Sequence, residues 1–363
     1  MKTKLFVVYG GKSVEHDISL KTARTVLSAV DESKFELHPI YIARDGRWCG
    51  PDAQGLASGE AAERLVAEPA HDSEAASIGD ILLRKLALPG KKVVLPLIHG
   101  SNGEDGTLQG LLEMLNVPYV GNGVLAAALT LDKAMSKLAL AQAGIRQVEH
   151  RTLRREQWLA DERGCVAWLE DTIGYPCYVK PSSLGSSIGI SRCENRGELA
   201  AGIAEALRYD AKLVVERELP GREIQVAVMG NEEPIVSLPG EFIHDNRFFD
   251  FASKYSDPRL RMSIPAEIGE ALIGQVRALA LQAYRTLGCE GLARVDFFLD
   301  RDGLLYLNEI NALPGFTSAS MYPVMWEKTD GTTYAKLIER LIDYAFARHE
   351  VRQSLSYERL APC

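Results

Sequence analysis

Residues 294–315 read RVDFFLDRDGLLYLNEINALPG, two apolar and aromatic runs separated by an Asp-Gly pair at 302–303. An Asp-Gly pair between such runs is a strong signal for a β-hairpin with a two-residue loop. Counting back along the ladder from that loop places Asp296 opposite Glu309. Since side chains two positions apart share one face of a strand, the stretch predicts a hairpin that carries its carboxylates on one face.

The same register places Arg294 opposite Asn311, on the face that Asp296 and Glu309 share. Directly opposed carboxylates lie roughly 5 Å apart at Cβ and repel each other, a conflict that a divalent cation removes. Hard oxygen ligands with a neighbouring amide oxygen suit Mg²⁺ or Mn²⁺ shared with phosphates. A solvated surface hairpin is the alternative. The Asp-Glu-Asn set, the nearby arginine and the Pro-Gly turn at 314–315 favour the metal site.

A second stretch, KPSSLGSSIG at 180–189, follows a short apolar run. A strand that ends in Lys180 and enters a Gly/Ser loop can bring backbone N–H groups, hydroxyls and one positive charge to phosphate oxygens. Without context, such a loop is more often a flexible turn. It is not the GxxxxGK[ST] phosphate loop, and Gly10-Gly11 is not a GxGxxG fingerprint, so a dinucleotide-binding dehydrogenase is disfavoured.

Three shorter stretches carry further candidate binding residues. In ERELPGRE at 216–223, strand-edge backbone could bind an adenine and a carboxylate could hold ribose hydroxyls, although a charged hairpin explains the pattern equally well. Glu15, in GGKSVEH at 10–16, is a candidate partner for a cationic amine. His99, in HGSNGEDG at 99–106, follows an apolar strand and could orient a substrate or serve only structure.

The order of predicted elements indicates an α/β region followed by α+β regions. Strands at 4–9, 35–42 and 93–98 alternate with helices, which predicts a parallel sheet with ligands at the carboxyl ends of its strands. Ser13 is the predicted cap of the first helix. Residues 176–230 read as a smaller α+β unit. Further helices are predicted at 108–115, 132–144, 267–287 and 333–348.

Composition excludes several classes of function. The chain has 363 residues, a formal net charge of -8 and a pI near 5.5, so it lacks the basic field that nucleic acids or anionic membranes attract. It contains no apolar run long enough for a membrane span, and its N-terminus does not read as a signal peptide. Six scattered cysteines without a CxxC pair predict reduced thiols in a cytoplasmic protein.

Together, these stretches resemble the D-alanine–D-alanine ligase family of the ATP-grasp superfamily from about residue 5 to 345. The most specific strings are GGKSVEHDISL, HGSNGEDGTLQG, DKAMSK, KPSSLGSSIGIS, FFDFASKY and RVDFFLD…NEINALPGFTSAS. The resemblance implies an ATP-grasp fold with a Rossmann-like parallel α/β domain at its N-terminus. It implies an N-terminal substrate domain at 1–125, a central lid subdomain at 126–227 and a C-terminal subdomain with the metal-binding hairpin at 228–363.

The resemblance also implies a role for each matching residue. ATP would be bound by Lys133, Lys180, Ser186, Ser187, Glu216, Arg217, Leu219 and Glu223. Two Mg²⁺ ions, for which Mn²⁺ could substitute, would be bound by Asp296, Glu309 and Asn311. The D-alanine substrates would be held by Glu15, His99, Ser320 and Met321. Catalysis would involve Glu15, Ser186, Lys254, Tyr255, Arg294 and the Gly315 N–H.

The implied reaction joins two D-alanines through a D-alanyl phosphate, releases ADP and phosphate, and supplies a peptidoglycan precursor in the cytoplasm. The family is usually homodimeric. Ligases that use D-lactate or D-serine are the alternative, but they often carry arginine where this chain has Met321. A biotin-dependent carboxylase component is disfavoured by the segments of Glu15 and His99. An inactive ATP-binding scaffold is disfavoured because the metal ligands and Arg294 are all present.

Overall fold

The computed structural model describes residues 2–51, 65–243 and 261–356. In this part of the chain the strands form three four-stranded sheets and one two-stranded sheet. The strands are β1 (Thr3–Gly10), β2 (Phe35–Ile42), β3 (Trp48–Cys49), β4 (Lys92–Pro96), β5 (His150–Arg154), β6 (Cys177–Pro181), β7 (Ser191–Cys193), β8 (Lys212–Arg217), β9 (Gly221–Gly230), β10 (Ile235–Val236), β11 (Glu241–Ile243), β12 (Arg261–Ser263), β13 (Gly291–Asp300) and β14 (Leu305–Asn311).

The helices of the described residues cover the faces of these sheets. They are α1 (His16–Ala29), α2 (Glu74–Ile81), α3 (Thr107–Met114), α4 (Val124–Leu131), α5 (Lys133–Gln142), α6 (Arg155–Ala160), α7 (Glu162–Thr172), α8 (Arg196–Ala206), α9 (Glu270–Thr286), α10 (Met321–Asp330) and α11 (Tyr334–Gln353), with a π-helical turn at Leu82–Leu86. None of these helices has the length and apolar composition needed to cross a bilayer.

The N-terminal sheet has the strand order β3-β2-β1-β4, and β1 pairs in parallel with both β2 and β4. The apolar run Leu5–Tyr9 is fully buried because helices cover both faces of the sheet. Gly10 ends β1 with φ +89°, and a Cβ there would lie 2.2 Å from the Ile42 carbonyl oxygen. Only glycine allows the chain to leave the strand in this direction. The predicted parallel sheet is confirmed.

The prediction that Ser13 caps the first helix is wrong. Helix α1 begins at His16, and its N-cap residue is Glu15. The Ser13 Oγ instead accepts a hydrogen bond from the Glu15 N–H at 3.1 Å. Ser13 therefore orders the turn that presents Glu15, at the carboxyl end of β1.

The middle sheet has the strand order β5-β8-β6-β7 and is antiparallel throughout. Its apolar face packs against α7 and α8 around Val179, Leu199 and Val215, in a hydrophobic core separate from the others. The Gly/Ser loop connects β6 to β7. The loop thus begins and ends on neighbouring strands, which fixes both of its ends.

The C-terminal sheet has the strand order β10-β9-β13-β14 and lies between two cores. One face packs on α9 and α5. The other face shares a core with β1 and the last two helices, where Met229, Leu292, Trp326 and Leu341 are buried. This shared core holds the N-terminal and C-terminal sheets together. Strand β9 crosses residue 227, so it spans the boundary that the sequence predicts between the second and third domains.

The hairpin of β13 and β14 has the predicted register at its carboxylates but not the predicted loop. Asp296 pairs with Glu309, as the sequence predicts. Towards the tip, Leu299 pairs with Leu305 and the loop contains the three residues 301–303. The prediction of a two-residue loop is therefore wrong. A three-residue loop ending in a glycine with φ > 0 is the next most common solution.

A β-bulge compensates for the extra loop residue. Asp296 pairs with Glu309 but Phe297 pairs with Leu307, so Asn308 has no partner of its own. A bulge of this kind changes the phase of the strand by one residue. Leu307 can therefore point into the core while Glu309, only two positions later, points to the opposite face.

A substitution in the shared core tests its contribution to stability. Leu341, on α11, is 1% exposed. We expect Leu341→Ala to lower the free energy of unfolding by about 2–5 kcal/mol, because it removes buried methyl groups and leaves a cavity. Val351 lies on the same helix but is 53% exposed, so Val351→Ala should change stability by less than about 0.5 kcal/mol. Equal losses in urea unfolding would contradict this packing.

Candidate active site

A single cleft of about 1160 Å³ brings together residues of the middle and C-terminal sheets and residues that follow strands of the N-terminal sheet. It contains every predicted site residue that the structure describes: Glu15, His99, Lys133, Lys180, Ser186, Ser187, Glu216, Arg217, Leu219, Glu223, Arg294, Asp296, Glu309, Asn311, Gly315, Ser320 and Met321. Lys254 and Tyr255 lie outside the described residues. Residues that are up to 306 positions apart in the chain, Glu15 and Met321, therefore face one volume.

The hairpin forms the acidic end of the cleft. Arg294 donates two hydrogen bonds to Asp296, from Nε at 2.7 Å and from Nη2 at 2.6 Å. Asn311 Nδ2 donates to the same carboxylate at 3.2 Å, and Lys133 Nζ lies 3.6 Å from Glu309 Oε2. Cations thus offset the repulsion between the opposed carboxylates, and the two carboxylates are held on the cleft-facing side of the strands.

These residues fit a magnesium ion that also binds phosphates. Mg²⁺ is usually bound by one or two carboxylates together with substrate phosphates and water, rather than by a complete protein cage. Asp296, Glu309 and the amide oxygen of Asn311 can supply such a set. Within the described ranges, no group of three or more His, Cys, Asp or Glu side chains is arranged to hold a metal ion.

Two lysines hold a buried carboxylate at the base of the cleft. Lys180 Nζ lies 2.6 Å from Glu216 Oε2, and Lys137 Nζ lies 2.9 Å from Glu216 Oε1. Burial opposes ionisation of Glu216, but the charges of the two lysines lower its pKa below the usual range. Sequence reasoning did not select Lys137. The signal was present, because Lys133 and Lys137 are four residues apart and share one face of α5.

The Gly/Ser loop approaches Glu15 across the cleft. Ser186 and Ser187 adopt left-handed backbone conformations, with φ of +54° and +57°, which are uncommon for serine. In this conformation the Ser186 hydroxyl donates a hydrogen bond to the Glu15 carboxylate. A Cβ at Gly185 would lie 3.2 Å from Glu15 Oε2, so a glycine there allows the close approach. The loop thereby connects the middle sheet to the N-terminal sheet.

Glu15 belongs to a buried cluster with His99 and Glu104. The His99 Nδ1 lies 3.7 Å from Glu104 Oε1, and the other Glu104 oxygen accepts from the Gly100 N–H at 2.9 Å. Burial raises the pKa of Glu15 above its usual range, and the charge of Glu104 adds to this effect. Glu104 was missed by sequence reasoning, although it lies within the HGSNGEDG stretch. A cationic ligand beside Glu15 would relieve both effects.

The pKa of His99 predicts how the stability of the protein depends on pH. Burial opposes protonation of His99, but the hydrogen bond and charge of Glu104 outweigh it and raise its pKa. A histidine whose pKa is raised on folding stabilises the folded state. This stabilisation is fully present below the unfolded pKa of about 6.5 and is lost as the pH rises through the folded pKa. We therefore expect the stability difference between wild type and His99→Asn to be largest near pH 6 and to shrink at higher pH.

Urea unfolding across this pH range measures the difference. His349 is the matched control because burial lowers its pKa, so the folded protein favours the neutral form. The difference between wild type and His349→Asn should then change with pH in the opposite direction. A constant His99→Asn difference at every pH would contradict the raised pKa.

The far ends of the cleft differ in character. At one end, residues 217–223 run from the end of β8 into β9 and line the cleft. At the other end, Ser320 is the N-cap residue of α10 and its hydroxyl lies 2.8 Å from that of Thr317. The N-terminus of a helix attracts anions. A carboxylate group fits the second end.

Two family models match the chain over most of its length. A model described as the D-ala D-ala ligase N-terminus matches residues 4–122, and one described as the D-ala D-ala ligase C-terminus matches residues 139–343. Among similar proteins, the D-alanine–D-alanine ligase of Geobacillus kaustophilus is 44% identical over 372 residues, covering 98% of each chain. That of Listeria monocytogenes serotype 4b is 44% identical over 370 residues, covering 99% of each.

Two solved structures of ligases have a similar fold over nearly the whole chain. The structure of the D-alanine-D-alanine ligase from Coxiella burnetii has a TM-score of 0.79 at 32% identity, covering 97% of this chain and 96% of that one. VanG D-Ala:D-Ser ligase from Enterococcus faecalis also has a TM-score of 0.79 at 32% identity, covering 95% of this chain and all of that one. The fold similarity thus extends to relatives with different second substrates.

Proposed function

Because this chain belongs to the D-alanine–D-alanine ligase family, we propose that its cleft joins two D-alanines, with ATP converted to ADP and phosphate. The protein is an ADP-forming ligase that makes D-alanyl-D-alanine for peptidoglycan precursors. The observation that carries this function is the full-length identity of 42–44% to ligases with that name. A D-lactate or D-serine ligase is not favoured, since these relatives are D-alanine–D-alanine ligases.

We place ATP between the middle and C-terminal sheets. Lys133, Lys180 and the serines of the Gly/Ser loop contact its phosphates, residues 216–219 border the adenine and Glu223 binds the ribose. This placement is supported by the positive charges of Lys133 and Lys180 near the loop and by the segment 217–223, which lines the cleft. Positioning the γ-phosphate and spreading its charge are the main requirements for phosphoryl transfer.

The proposed metal site lies where the phosphates meet the hairpin. Asp296, Glu309 and Asn311 would hold two Mg²⁺ ions, for which Mn²⁺ could substitute. A metal bound there supplies Lewis-acid polarisation of the phosphoryl oxygens. The support for this proposal is the cleft-facing pair of carboxylates at positions 296 and 309.

The first D-alanine binds with its ammonium group at Glu15 and its carboxylate towards the γ-phosphate. Attack by that carboxylate oxygen on the γ-phosphorus forms the D-alanyl phosphate as the bond to the β-phosphate oxygen breaks and ADP leaves. Burial of Glu15 strengthens its attraction to a cation, because a substrate ammonium stabilises the charged carboxylate there. His99 supports this pocket through Glu104. The link from Glu15 to Ser186 couples substrate binding to the loop that covers the phosphates.

The second D-alanine binds with its carboxylate at Ser320 and the backbone of Met321. Its deprotonated amine attacks the acyl phosphate, and the oxyanion of the tetrahedral intermediate is stabilised by Arg294 and the Gly315 N–H. Phosphate then leaves. Lys254 and Tyr255 are proposed to close the site against water, which would otherwise hydrolyse the acyl phosphate.

Further proposals concern the protein as a whole. We propose a cytoplasmic homodimer that acts on small molecules and not on nucleic acid or membranes, consistent with the net charge of -8. We also propose that the chain divides into three parts, 1–125, 126–227 and 228–363. Strand β9 begins in the second part and belongs to the C-terminal sheet.

The experiment that tests the function is D-alanine-dependent release of ADP with ATP and Mg²⁺, with the product identified by mass. We expect ADP release together with D-alanyl-D-alanine. D-Serine and D-lactate are offered in competition with D-alanine at neutral pH. Binding of ATP without turnover on any of these substrates would reject the ligase function. Preferential use of D-lactate or D-serine would mean that D-alanine is not the preferred second substrate.

A further inference from the structure

Lys137 is buried in the interior beside the cleft without lining it. Its side chain is 2% exposed, which makes it one of the largest fully buried side chains of the described residues. A lysine in such a position carries a high desolvation cost unless it is paired. Burial is the main reason why the pKa of Lys137 is lowered, and the Glu216 carboxylate opposes this effect.

The geometry around Glu216 gives each of its oxygens a different lysine. Oε1 lies 2.9 Å from Lys137 and Oε2 lies 2.6 Å from Lys180. Lys180 reaches the cleft, whereas the Lys137 ammonium faces Glu216 and donates, at 3.5 Å, to the Asn308 carbonyl oxygen at the bulge of β14. The three charged groups form a chain from the interior to the cleft.

The sum of charges shows what Lys137 contributes. These two ammonium groups and one carboxylate leave one net positive charge, and Lys180 is the ammonium group of the pair that lines the cleft. Without Lys137, Glu216 and Lys180 would neutralise each other. The Lys180 ammonium would then be held by a full carboxylate charge in a medium of low dielectric constant, where such attraction is strong.

We propose that Lys137 is a positioning residue for nucleotide phosphates: it neutralises Glu216 from behind and thereby leaves the charge of Lys180 available to the phosphates. This inference rests on the proposed placement of ATP in the cleft. Lys137 acts through Glu216 and does not touch the nucleotide. Helix α5 serves both purposes, since Lys133 on its first turn reaches the cleft directly and Lys137 one turn later reaches Glu216.

The test compares ligands with and without phosphates. In Lys137→Met, ADP with Mg²⁺ should bind about tenfold more weakly, the loss of one charge-assisted interaction, whereas adenosine should bind within about twofold of wild type. Isothermal titration calorimetry of the full chain measures both ligands. In turnover, KM for ATP should rise with little change in KM for D-alanine. Equal losses for ADP and adenosine would mean that Lys137 only maintains the shape of the pocket, and would overturn the proposal.

A double-variant cycle tests the route through Glu216. The Glu216→Gln variant has no carboxylate at position 216 for Lys137 to neutralise. Adding Lys137→Met to this variant should therefore change ADP affinity by less than about twofold. An unchanged tenfold effect in that background would overturn the proposal, because Lys137 would then act on the phosphates by another route.

Arg348→Met is the control for loss of a buried cation. Arg348 is 7% exposed, donates to the carbonyl oxygens of Tyr119 and Gly121, and lies away from the cleft. The variant should unfold at a lower temperature but keep the wild-type ratio of ADP to adenosine affinity. ADP release by the wild type tests the ligase function separately, so a failure of that function and a failure of the role of Lys137 give different results.

Discussion

Asp296→Asn should reduce the kcat for D-alanine-dependent ADP release by about 10³-fold or more, the loss expected when a metal no longer offsets transition-state charge. The substitution preserves shape and removes one negative charge. Asp296 is where the proposed metal, Arg294 and Asn311 meet, since both side chains donate to its carboxylate. An amide cannot accept both arginine hydrogen bonds and also neutralise a metal ion. The substitution should therefore slow phosphoryl transfer and also disturb the alignment of Arg294.

The matched control is Asp302→Asn on the same hairpin. Asp302 is exposed at the tip, beyond the bulge. The same chemical change there should leave kcat and the circular dichroism spectrum unchanged. Raising the Mg²⁺ or Mn²⁺ concentration should restore part of the activity of Asp296→Asn by mass action. If Asp296→Asn retained most of its activity at ordinary Mg²⁺ concentrations, the proposed metal site would be wrong.

Arg294→Lys should lower kcat by about 10²–10³-fold, the range found when one oxyanion donor is removed, while KM for ATP changes little. A lysine keeps the charge but not the planar fork that binds Asp296 with two nitrogen atoms. It therefore cannot remain on Asp296 and also point a donor at the tetrahedral intermediate. The effect should fall on acyl transfer, after the D-alanyl phosphate has formed.

Rapid-quench measurements can separate the two chemical steps. Arg294→Lys should still form ADP in a first turnover and should leak phosphate by hydrolysis, with less dipeptide per ADP than wild type. Arg285→Lys, on the exposed side of α9, is the control and should match wild type. An unchanged yield of dipeptide per ADP together with a normal kcat would mean that Arg294 does not stabilise the oxyanion.

Local sequence patterns were sufficient to predict the parallel sheet and the hairpin, whereas Lys133, Gly315, Ser320 and Met321 were selected only through the family resemblance. Strand and helix periodicity are properties of short segments, so the run Leu5–Tyr9 and the stripe at 108–115 could be assigned without knowing their neighbours. Pairing across the hairpin was also a local question. The register at Asp296 and Glu309 was predicted correctly, although the loop that was assumed for it was not.

Features that depend on tertiary packing were missed. Nothing local to Lys137 says that its partner is Glu216, 79 positions later in the chain. The role of Ser13 in the turn before α1, rather than as its cap, likewise depends on how that turn meets the sheet. The bulge did leave a local signal, because the buried positions of β14 change from Leu305 and Leu307 to Ile310, breaking the period of two.

The bulge at Asn308 also determines where this part of the gene can change length. Beyond Leu305 the hairpin ends in exposed residues, and an insertion or deletion there alters only the loop. Adding or removing one residue between Leu307 and Glu309 would turn the side chains on one side of the change to the opposite face of the sheet. Either the two leucines leave the core or the carboxylate enters it. The tip is thus free to vary in length over evolution, whereas the three residues at its base are fixed in number.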